Sequence, residues 1–136
     1  MKARCLCGVT QFEVQLRNHE VAACHCSMCR RQTAGPLMSI DVENINFIDQ
    51  QHLSVFSSSE WGERGFCNMC GTFIFWRSKD HSFANINVFT LEHPPEDLNF
   101  NLEIYVDNQP SFYSFNNQTK KMTEAEVVAL FNSDNP

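Results

Sequence analysis

The seven cysteines of this 136-residue chain fall into three short clusters, and this clustering restricts the fold more than any other feature of the sequence. The clusters are a C-x-C motif, a C-H-C-x-x-C motif and a C-x-x-C motif, located at Cys5 and Cys7, at Cys24, Cys26 and Cys29, and at Cys67 and Cys70. A buried cysteine used only as a small hydrophobic residue has no reason to recur at such spacings. The odd count also argues against a disulfide framework, so the sequence indicates metal binding or thiol chemistry.

Composition excludes several classes of protein. Hydrophobic residues make up 43% of the chain and charged residues 19%, which excludes a disordered chain. The formal net charge of -6 argues against nucleic-acid and anionic-membrane binding, since both favour a basic surface. The sequence has neither an apolar run long enough to span a membrane nor a secretory signal, so we predict a cytoplasmic protein. The length predicts that residues 1–136 form a single domain.

Alternating apolar and polar residues predict a mainly β fold. In Leu98–Val106 the apolar residues form one face, which we expect to be buried, and Glu103 lies on the opposite face. Shorter predicted strands are Gln11–Leu16, Met38–Val42, Leu53–Ser57, Thr72–Trp76 and Ala84–Val88. One short C-terminal helix is predicted, because Thr123 and Glu126 have the spacing of a capping box.

The C-x-x-C-G motif at Cys67–Gly71 favours a metal knuckle. Two thiolates three residues apart can hold one ion from a tight turn, and the glycine allows the chain to leave that turn with a positive φ. A redox C-x-x-C motif usually begins a helix in a βαβ unit. Here the strand-like segment Thr72–Trp76 follows, so we favour zinc over a redox dithiol.

Ligand counting suggests how the cysteines divide between ions. Four thiolates close a tetrahedral zinc site, whereas three leave it open, so seven cysteines divide naturally as four plus three. In this division the middle cluster, Cys24–Cys29, holds one ion and the two outer clusters share the other. A rival division joins Cys26 and Cys29 to Cys67 and Cys70, and it leaves three cysteines as spares. Spacing alone prefers the first division only modestly.

The three motifs resemble those of the glutathione-dependent formaldehyde-activating enzyme family, which includes centromere protein V. The matching stretches are Arg4-Cys5-Leu6-Cys7-Gly8, Cys24-His25-Cys26-Ser27-Met28-Cys29-Arg30-Arg31 and Phe66-Cys67-Asn68-Met69-Cys70-Gly71-Thr72. The resemblance implies a β-tent (Mss-four-like) fold of small antiparallel sheets. It also implies two Zn²⁺ sites, a structural one at Cys5, Cys7, Cys67 and Cys70 and a catalytic one at Cys24, Cys26 and Cys29.

The resemblance implies a zinc-dependent carbon–sulfur lyase. An electron-rich three-thiolate zinc is suited to a soft ligand such as a thiol, which binds as the thiolate and can attack a small carbonyl compound. In this family the thiol is glutathione, the carbonyl compound is formaldehyde, and the product is S-hydroxymethylglutathione. The expected partner is therefore glutathione or its adduct. The alternative is a non-catalytic zinc module that binds a thiol or a protein partner.

Three further positions bear on this chemistry. Arg30 and Arg31 directly follow Cys29, and we predict that they bind the anionic glutathione, although they could instead be solvated or paired with surface carboxylates. His25 lies between two cysteines, and we expect it beside the metal site or facing solvent rather than as a ligand. Family members often carry a histidine before the isoleucine of the last core strand, whereas this chain has Glu103 there.

Overall fold

A computed structural model describes residues 1–133 of the chain. Its strands are β1 (Lys2–Arg4), β2 (Gln11–Cys24), β3 (Leu37–Asp49), β4 (Leu53–Ser57), β5 (Gly62–Cys67), β6 (Phe73–Ser78), β7 (Ala84–Asn87), β8 (Asn99–Ile104) and β9 (Lys120–Met122). The α-helices are α1 (Ser27–Thr33) and α2 (Glu124–Ser133), and short 3-10 turns cover Val88–Thr90 and Val106–Asn108. The prediction of a mainly β fold with a short C-terminal helix is confirmed.

Two compact units contain these elements. The first comprises Met1–His19 and Ser39–Leu98, and the second comprises Glu20–Met38 and the chain from Asn99 onward. β2 and β3 each contribute residues to both units. The two cysteine clusters described below fall in different units, so each unit is described by itself.

The first unit is built from antiparallel strands. Its strand order is β4-β5-β6-β7-β3-β2, and β1 pairs with β2. The alternation that predicted a strand at the start of β2 is present in the structure, where Phe12 and Val14 are buried and their neighbours are exposed. The largest fully buried hydrophobic side chains of this unit are Phe12, Ile40, Ile74, Phe75 and Ile86.

Strand β5 (Gly62–Cys67) was not among the predicted strands. Its glycines have a packing role. A Cβ atom on Gly65 would lie 2.2 Å from the Phe75 ring, and one on Gly62 would lie 2.7 Å from the Trp76 ring. These positions accept only glycine because aromatic rings of β6 cover the backbone of β5.

The second unit contains parallel pairs. The end of β2, Glu20–Cys24, pairs with β8 in parallel, with Cys24 opposite Ile104 and a bulge between Val21 and Ala22. β9 then pairs with β8, also in parallel. The strand arrangement of the protein is therefore mixed rather than purely antiparallel.

The buried face of β8 is not the one that the sequence predicted. The strand itself is confirmed, but Glu103, which the alternation assigned to the face opposite the buried one, is the buried residue of β8. Its apolar neighbours Leu102 and Ile104 are only half-buried. A buried carboxylate is tolerated when it is paired and hydrogen-bonded, and the partners of Glu103 are described below.

The sequence predicted one of the two helices, α2, but not the other. At α2 the capping box forms as predicted, since Thr123 N donates to Glu126 Oε1 at 3.1 Å and Glu126 N donates to Thr123 Oγ1 at 3.3 Å. Val127 is buried, but Leu130 is exposed, so the buried face of α2 is narrower than expected. Helix α1 was not predicted. Within residues 1–133, neither helix has the length and apolar character needed to cross a membrane.

Candidate metal centres

Four cysteines from the two outer motifs meet in the first unit. The sulfur atoms of Cys5, Cys7, Cys67 and Cys70 all lie within 4.8 Å of one another. The Cys5–Cys7 sulfur distance is 3.6 Å and the Cys7–Cys67 distance is 4.0 Å. With Zn–S bonds of about 2.3 Å, a tetrahedral site separates neighbouring sulfurs by about 3.8 Å. The four-cysteine cluster therefore fits a closed zinc site.

Each half of the four-cysteine cluster is a tight turn that ends on a glycine. Gly8 N donates to Cys5 O at 3.2 Å, and Gly71 N donates to Cys67 O at 2.8 Å. Both glycines have left-handed backbones, with φ of 83° and 79°. Because side chains with a Cβ rarely adopt this conformation, the glycine after each motif is part of the knuckle, as the C-x-x-C-G pattern predicted.

Thr72 connects the two knuckles. Its hydroxyl accepts a hydrogen bond from Leu6 N at 3.0 Å and lies 3.2 Å from the Cys70 sulfur. Burial by itself raises the pKa of the Cys70 thiol, but the Thr72 hydroxyl and the backbone groups of Cys7 and Thr72 outweigh it and lower the pKa to about 5. A thiol with such a lowered pKa is ionised at neutral pH, and the thiolate is the form that binds a metal ion.

Three cysteines of the middle motif form a second cluster, in the second unit. Cys24 ends β2, Cys26 caps the N-terminus of α1, and Cys29 lies within α1. All three are buried, and their sulfur atoms lie within 4.8 Å of one another. Hydrogen bonds with Cys26 and Cys29, followed by burial, raise the pKa of the Cys24 thiol well above its usual range. Three thiols this close and this buried can all be ionised only if a cation offsets their charge, and zinc is such a cation, so the three-cysteine cluster also fits zinc.

The cysteines thus group as four plus three, which is the division that ligand counting preferred. The rival division is not the grouping in the structure, because the middle sulfurs lie with one another rather than with Cys67 and Cys70. The resemblance to the family implied the same grouping. That each cluster binds zinc stays a prediction.

His25 is not placed to act as a metal ligand. Its side chain is 0% exposed, and both ring nitrogens are engaged. Nδ1 lies 2.7 Å from the Tyr113 hydroxyl and Nε2 lies 2.9 Å from Glu103 Oε1. Of the two placements expected from the sequence, the structure therefore shows His25 beside the cluster and not facing solvent.

Glu103 completes this buried contact. Its Oε2 accepts a hydrogen bond from the Thr119 hydroxyl and lies 3.6 Å from Lys121 Nζ. Burial alone raises the pKa of Glu103, but the hydrogen bonds from Thr119 and His25 hold it below its ordinary value. The carboxylate therefore accepts hydrogen bonds only, so Nε2 of His25 carries a proton and donates to it.

The two arginines predicted to bind glutathione lie on α1 in different surroundings. Arg30 is half-buried, and its Nε donates to the carbonyl oxygen of His25 at 2.9 Å. Burial raises the pKa of Tyr113 while the charge of Arg30 opposes that rise, which places the guanidinium close to this phenol. Arg31 is exposed.

Two tyrosines near the three-cysteine cluster were missed from the sequence. Tyr113 contacts a histidine 88 positions away, and no local pattern signals such a contact. Tyr105 has a left-handed backbone, with φ of 57°. Burial and then the charges of Cys24 and Cys26 raise its pKa to about 12, so this phenol lies near the cluster and remains protonated.

Comparison with known proteins agrees with these observations. A curated relative in Schizosaccharomyces pombe, named an uncharacterized lyase, is 27% identical over 131 residues, which cover 93% of each chain. The crystal structure of a Rhodobacter sphaeroides protein, solved as a structural genomics target, has a TM-score of 0.60 and 25% identity. That match covers 76% of this chain and 99% of the other. The sequence model named glutathione-dependent formaldehyde-activating enzyme matches residues 1–108, and with the three cysteine motifs in place the chain belongs to that family.

Proposed function

We propose that this protein is a zinc-dependent carbon–sulfur lyase that forms or cleaves the bond between the glutathione sulfur and a small aldehyde. The observation that carries the proposal is the three-cysteine cluster, in which three buried thiols lie within 4.8 Å of one another. A structural zinc site has four protein ligands, whereas a catalytic site has three and keeps one position for substrate. The family, and the name lyase given to the yeast relative, support the same activity.

The two clusters take different roles in this proposal. Cys5, Cys7, Cys67 and Cys70 hold a structural zinc, because four thiolates leave no position for another ligand. The catalytic zinc belongs to the three-cysteine cluster. When bound there, it supplies a position for a soft ligand and favours the thiolate form of a thiol.

A zinc ion with three thiolate ligands carries a net negative charge, so binding an anionic thiol substrate there requires nearby cations. Arg30 is held by its hydrogen bond to the His25 carbonyl, so its charge stays beside the cluster. Arg31 is exposed on the same helix. We assign both to the carboxylates of glutathione, because guanidinium groups bind carboxylates through paired hydrogen bonds.

The addition reaction needs a proton on the aldehyde oxygen. The glutathione sulfur forms a bond to the carbonyl carbon, the carbonyl π electrons move to oxygen, and the proton lost by the thiol ends on that oxygen. Tyr105 directly follows Ile104, which lies opposite Cys24 in the pairing of β2 with β8, and a neutral tyrosine hydroxyl can donate a hydrogen bond to this oxygen, so we assign that role to Tyr105. Cleavage follows the same steps in reverse.

Metal content and activity test this proposal together. Wild type should bind two zinc ions per chain and should turn over glutathione with at least one of a panel of small aldehydes. Cys26→Ser should keep its fold, bind one zinc ion and lose turnover, because one of three ligands is gone. Met28→Leu is the matched control, since Met28 is exposed on the same helix and is not a candidate ligand; it should behave as wild type.

Two results would contradict the proposal. One is a Cys26→Ser variant that is as active as wild type. The other is a zinc content near one ion per chain in wild type, with the middle thiols freely alkylated. The second result would favour the non-catalytic zinc module, which needs only the four-cysteine cluster.

A further inference from the structure

His25 is held at every polar atom it has. Besides the two ring contacts, its backbone N donates to Ile104 O at 3.1 Å, and its carbonyl accepts from Arg30 Nε. The ring contacts go to Glu103 and Tyr113, two residues far along the chain. We call the side chains of His25, Glu103 and Tyr113 the His25 bracket.

The His25 bracket is unusual because it buries a carboxylate. Glu103 is 2% exposed and His25 is 0% exposed, so neither side chain is solvated by bulk water. Removing a charged group from water costs several kcal/mol unless partners replace the hydration. Thr119 and Lys121 supply further partners to the second carboxylate oxygen, so the carboxylate is held from both sides.

Because of the position of His25 in the chain, the bracket also affects the two neighbouring cysteines. His25 lies between Cys24 and Cys26, so a displacement of its backbone would displace two of the three cysteines. Ring contacts on one side and backbone hydrogen bonds on the other prevent such movement. Cys26 and Cys29 are in turn tied by the hydrogen bond from Cys29 N to the Cys26 sulfur, at 3.3 Å.

On this basis, and resting on the zinc site of the proposed function, we propose that Glu103 and Tyr113 are positioning residues for the three-cysteine cluster. They hold its sulfurs in their ligand arrangement before zinc binds, and they thereby set the zinc affinity of this cluster. A preorganised site does not have to order its ligands when the metal enters, which strengthens binding. Neither residue is a metal ligand or a substrate contact in this role.

An exposed pair elsewhere in the chain provides a matched control. His19 Nδ1 lies 2.8 Å from Asp97 Oδ1, the same type of contact as in the bracket, but these side chains are 45% and 74% exposed. Neither residue adjoins a cysteine in the sequence, since His19 is five residues before Cys24 and Asp97 is 27 residues after Cys70. Asp97→Asn therefore removes a carboxylate from a histidine without touching the His25 bracket.

The test is a chelator competition on the two-zinc protein, which measures the affinity of each cluster separately. Removing a residue that hydrogen-bonds directly to a metal ligand typically weakens metal binding by about 10- to 100-fold. Glu103 acts one residue further out, through His25, so we expect Glu103→Gln to weaken zinc binding at the three-cysteine cluster by about 10-fold, the lower end of this range. Tyr113→Phe, which keeps the ring, should weaken it by about 10-fold. Both variants should leave the four-cysteine cluster as in wild type, and Asp97→Asn should change neither site.

The outcomes separate this inference from the proposed function. If wild type binds two zinc ions and Glu103→Gln keeps wild-type affinity at both sites, the bracket has no positioning role and the lyase proposal stands. An equal loss at both sites would show a general structural role and would also overturn the inference.

Hydrogen exchange provides a readout that does not depend on loading the second site. With zinc only in the four-cysteine cluster, backbone amides of residues 24–30 should be protected in wild type and should exchange at least 10-fold faster in Glu103→Gln, as expected when a local hydrogen-bond network is lost. Equal exchange in the two proteins would overturn the inference even if wild type bound no second zinc. Absence of that second zinc would, by contrast, count against the lyase.

Discussion

The two cysteine clusters reach a similar sulfur spacing by opposite means. The four-cysteine cluster joins two short turns that are about sixty residues apart, and some of its atoms, such as the sulfur of Cys7, belong to exposed residues. The three-cysteine cluster comes from six consecutive residues, and all three of its cysteines are buried. The first cluster joins parts of one unit that are distant in sequence, whereas the second comes from a single short segment.

The supporting contacts differ in the same way. The four-cysteine cluster is supported locally, by Gly8, Gly71 and Thr72, all within two residues of a cysteine. Beside the three-cysteine cluster, the His25 ring is held by two residues that are distant in sequence, Glu103 and Tyr113. In the proposed two-zinc arrangement, the closed site stabilises its own fold through the metal, while the open site depends on a fold that is already present. Three predictions test this contrast.

The largest effect should come from breaking the closed site. Cys67→Ser should leave the chain unfolded or insoluble, because structural zinc contributes on the order of 10 kcal/mol to small domains. That is comparable with the whole stability of a typical domain, about 5–15 kcal/mol. Circular dichroism and thermal melting measure the outcome, with Cys26→Ser as the folded comparison. A Cys67→Ser protein that melts like wild type would remove the structural role from this cluster.

Smaller effects on stability are expected at two residues with left-handed backbones, one near each cluster. Exchanging glycine and alanine at these two positions should change the stability in opposite directions. Gly71 has φ of 79°, and Ala34, which ends α1, has φ of 60°. Gly71→Ala should destabilise the protein by about 1–2 kcal/mol, since a Cβ there meets no atom within 4 Å and the strain is purely conformational. Ala34→Gly should stabilise it by about 0.5 kcal/mol, because relief of strain exceeds the entropy cost of glycine.

Urea denaturation of both variants measures these differences. Gly35→Ala serves as the control, because Gly35 does not have a positive φ and its Cβ would meet open space. If Ala34→Gly were the destabilising change and Gly71→Ala neutral, the assignment of the strain would be wrong.

The smallest effect concerns acid. The pKa of Glu103 is below its ordinary value of about 4.5, so its ionised form stabilises the folded state. This contribution is fully present above pH of about 4.5 and is lost as the pH falls through the lower, folded value. Wild type should therefore lose more stability on acidification than Glu103→Gln does. Melting temperatures measured between pH 6 and 3 check the difference, and parallel curves for the two proteins would contradict it.

Spacing predicted the cysteine clusters well because metal ligands on a short turn are a local feature. The C-x-x-C-G pattern at Cys67–Gly71 indicated both the turn and the left-handed glycine, and the structure has both. The capping box of α2 was predicted for the same reason, since its two hydrogen bonds join residues three apart. The family resemblance added the pairing of distant motifs, which spacing alone left open.

Features that depend on distant partners were not predictable. Strand β5 was missed, because its glycines Gly62 and Gly65 are explained only by the aromatic rings of β6 that cover them. Glu103 was assigned to the face opposite the buried one because its own strand carries no sign of His25, 78 positions away. Helix α1 has seven residues, too few for an apolar period to appear, and its start is set by Cys26.

The order in which the residues of the two clusters are translated has a consequence for synthesis on the ribosome. Cys29 is translated more than eighty residues before Tyr113, and before Cys67 and Cys70 as well. At roughly 5–20 residues per second, five thiols therefore emerge several seconds ahead of the residues that sort them. In the proposed two-zinc arrangement, the site of Cys5 and Cys7 therefore stays incomplete until Cys67 and Cys70 follow, near the middle of the chain, whereas the three cysteines of the middle motif emerge together.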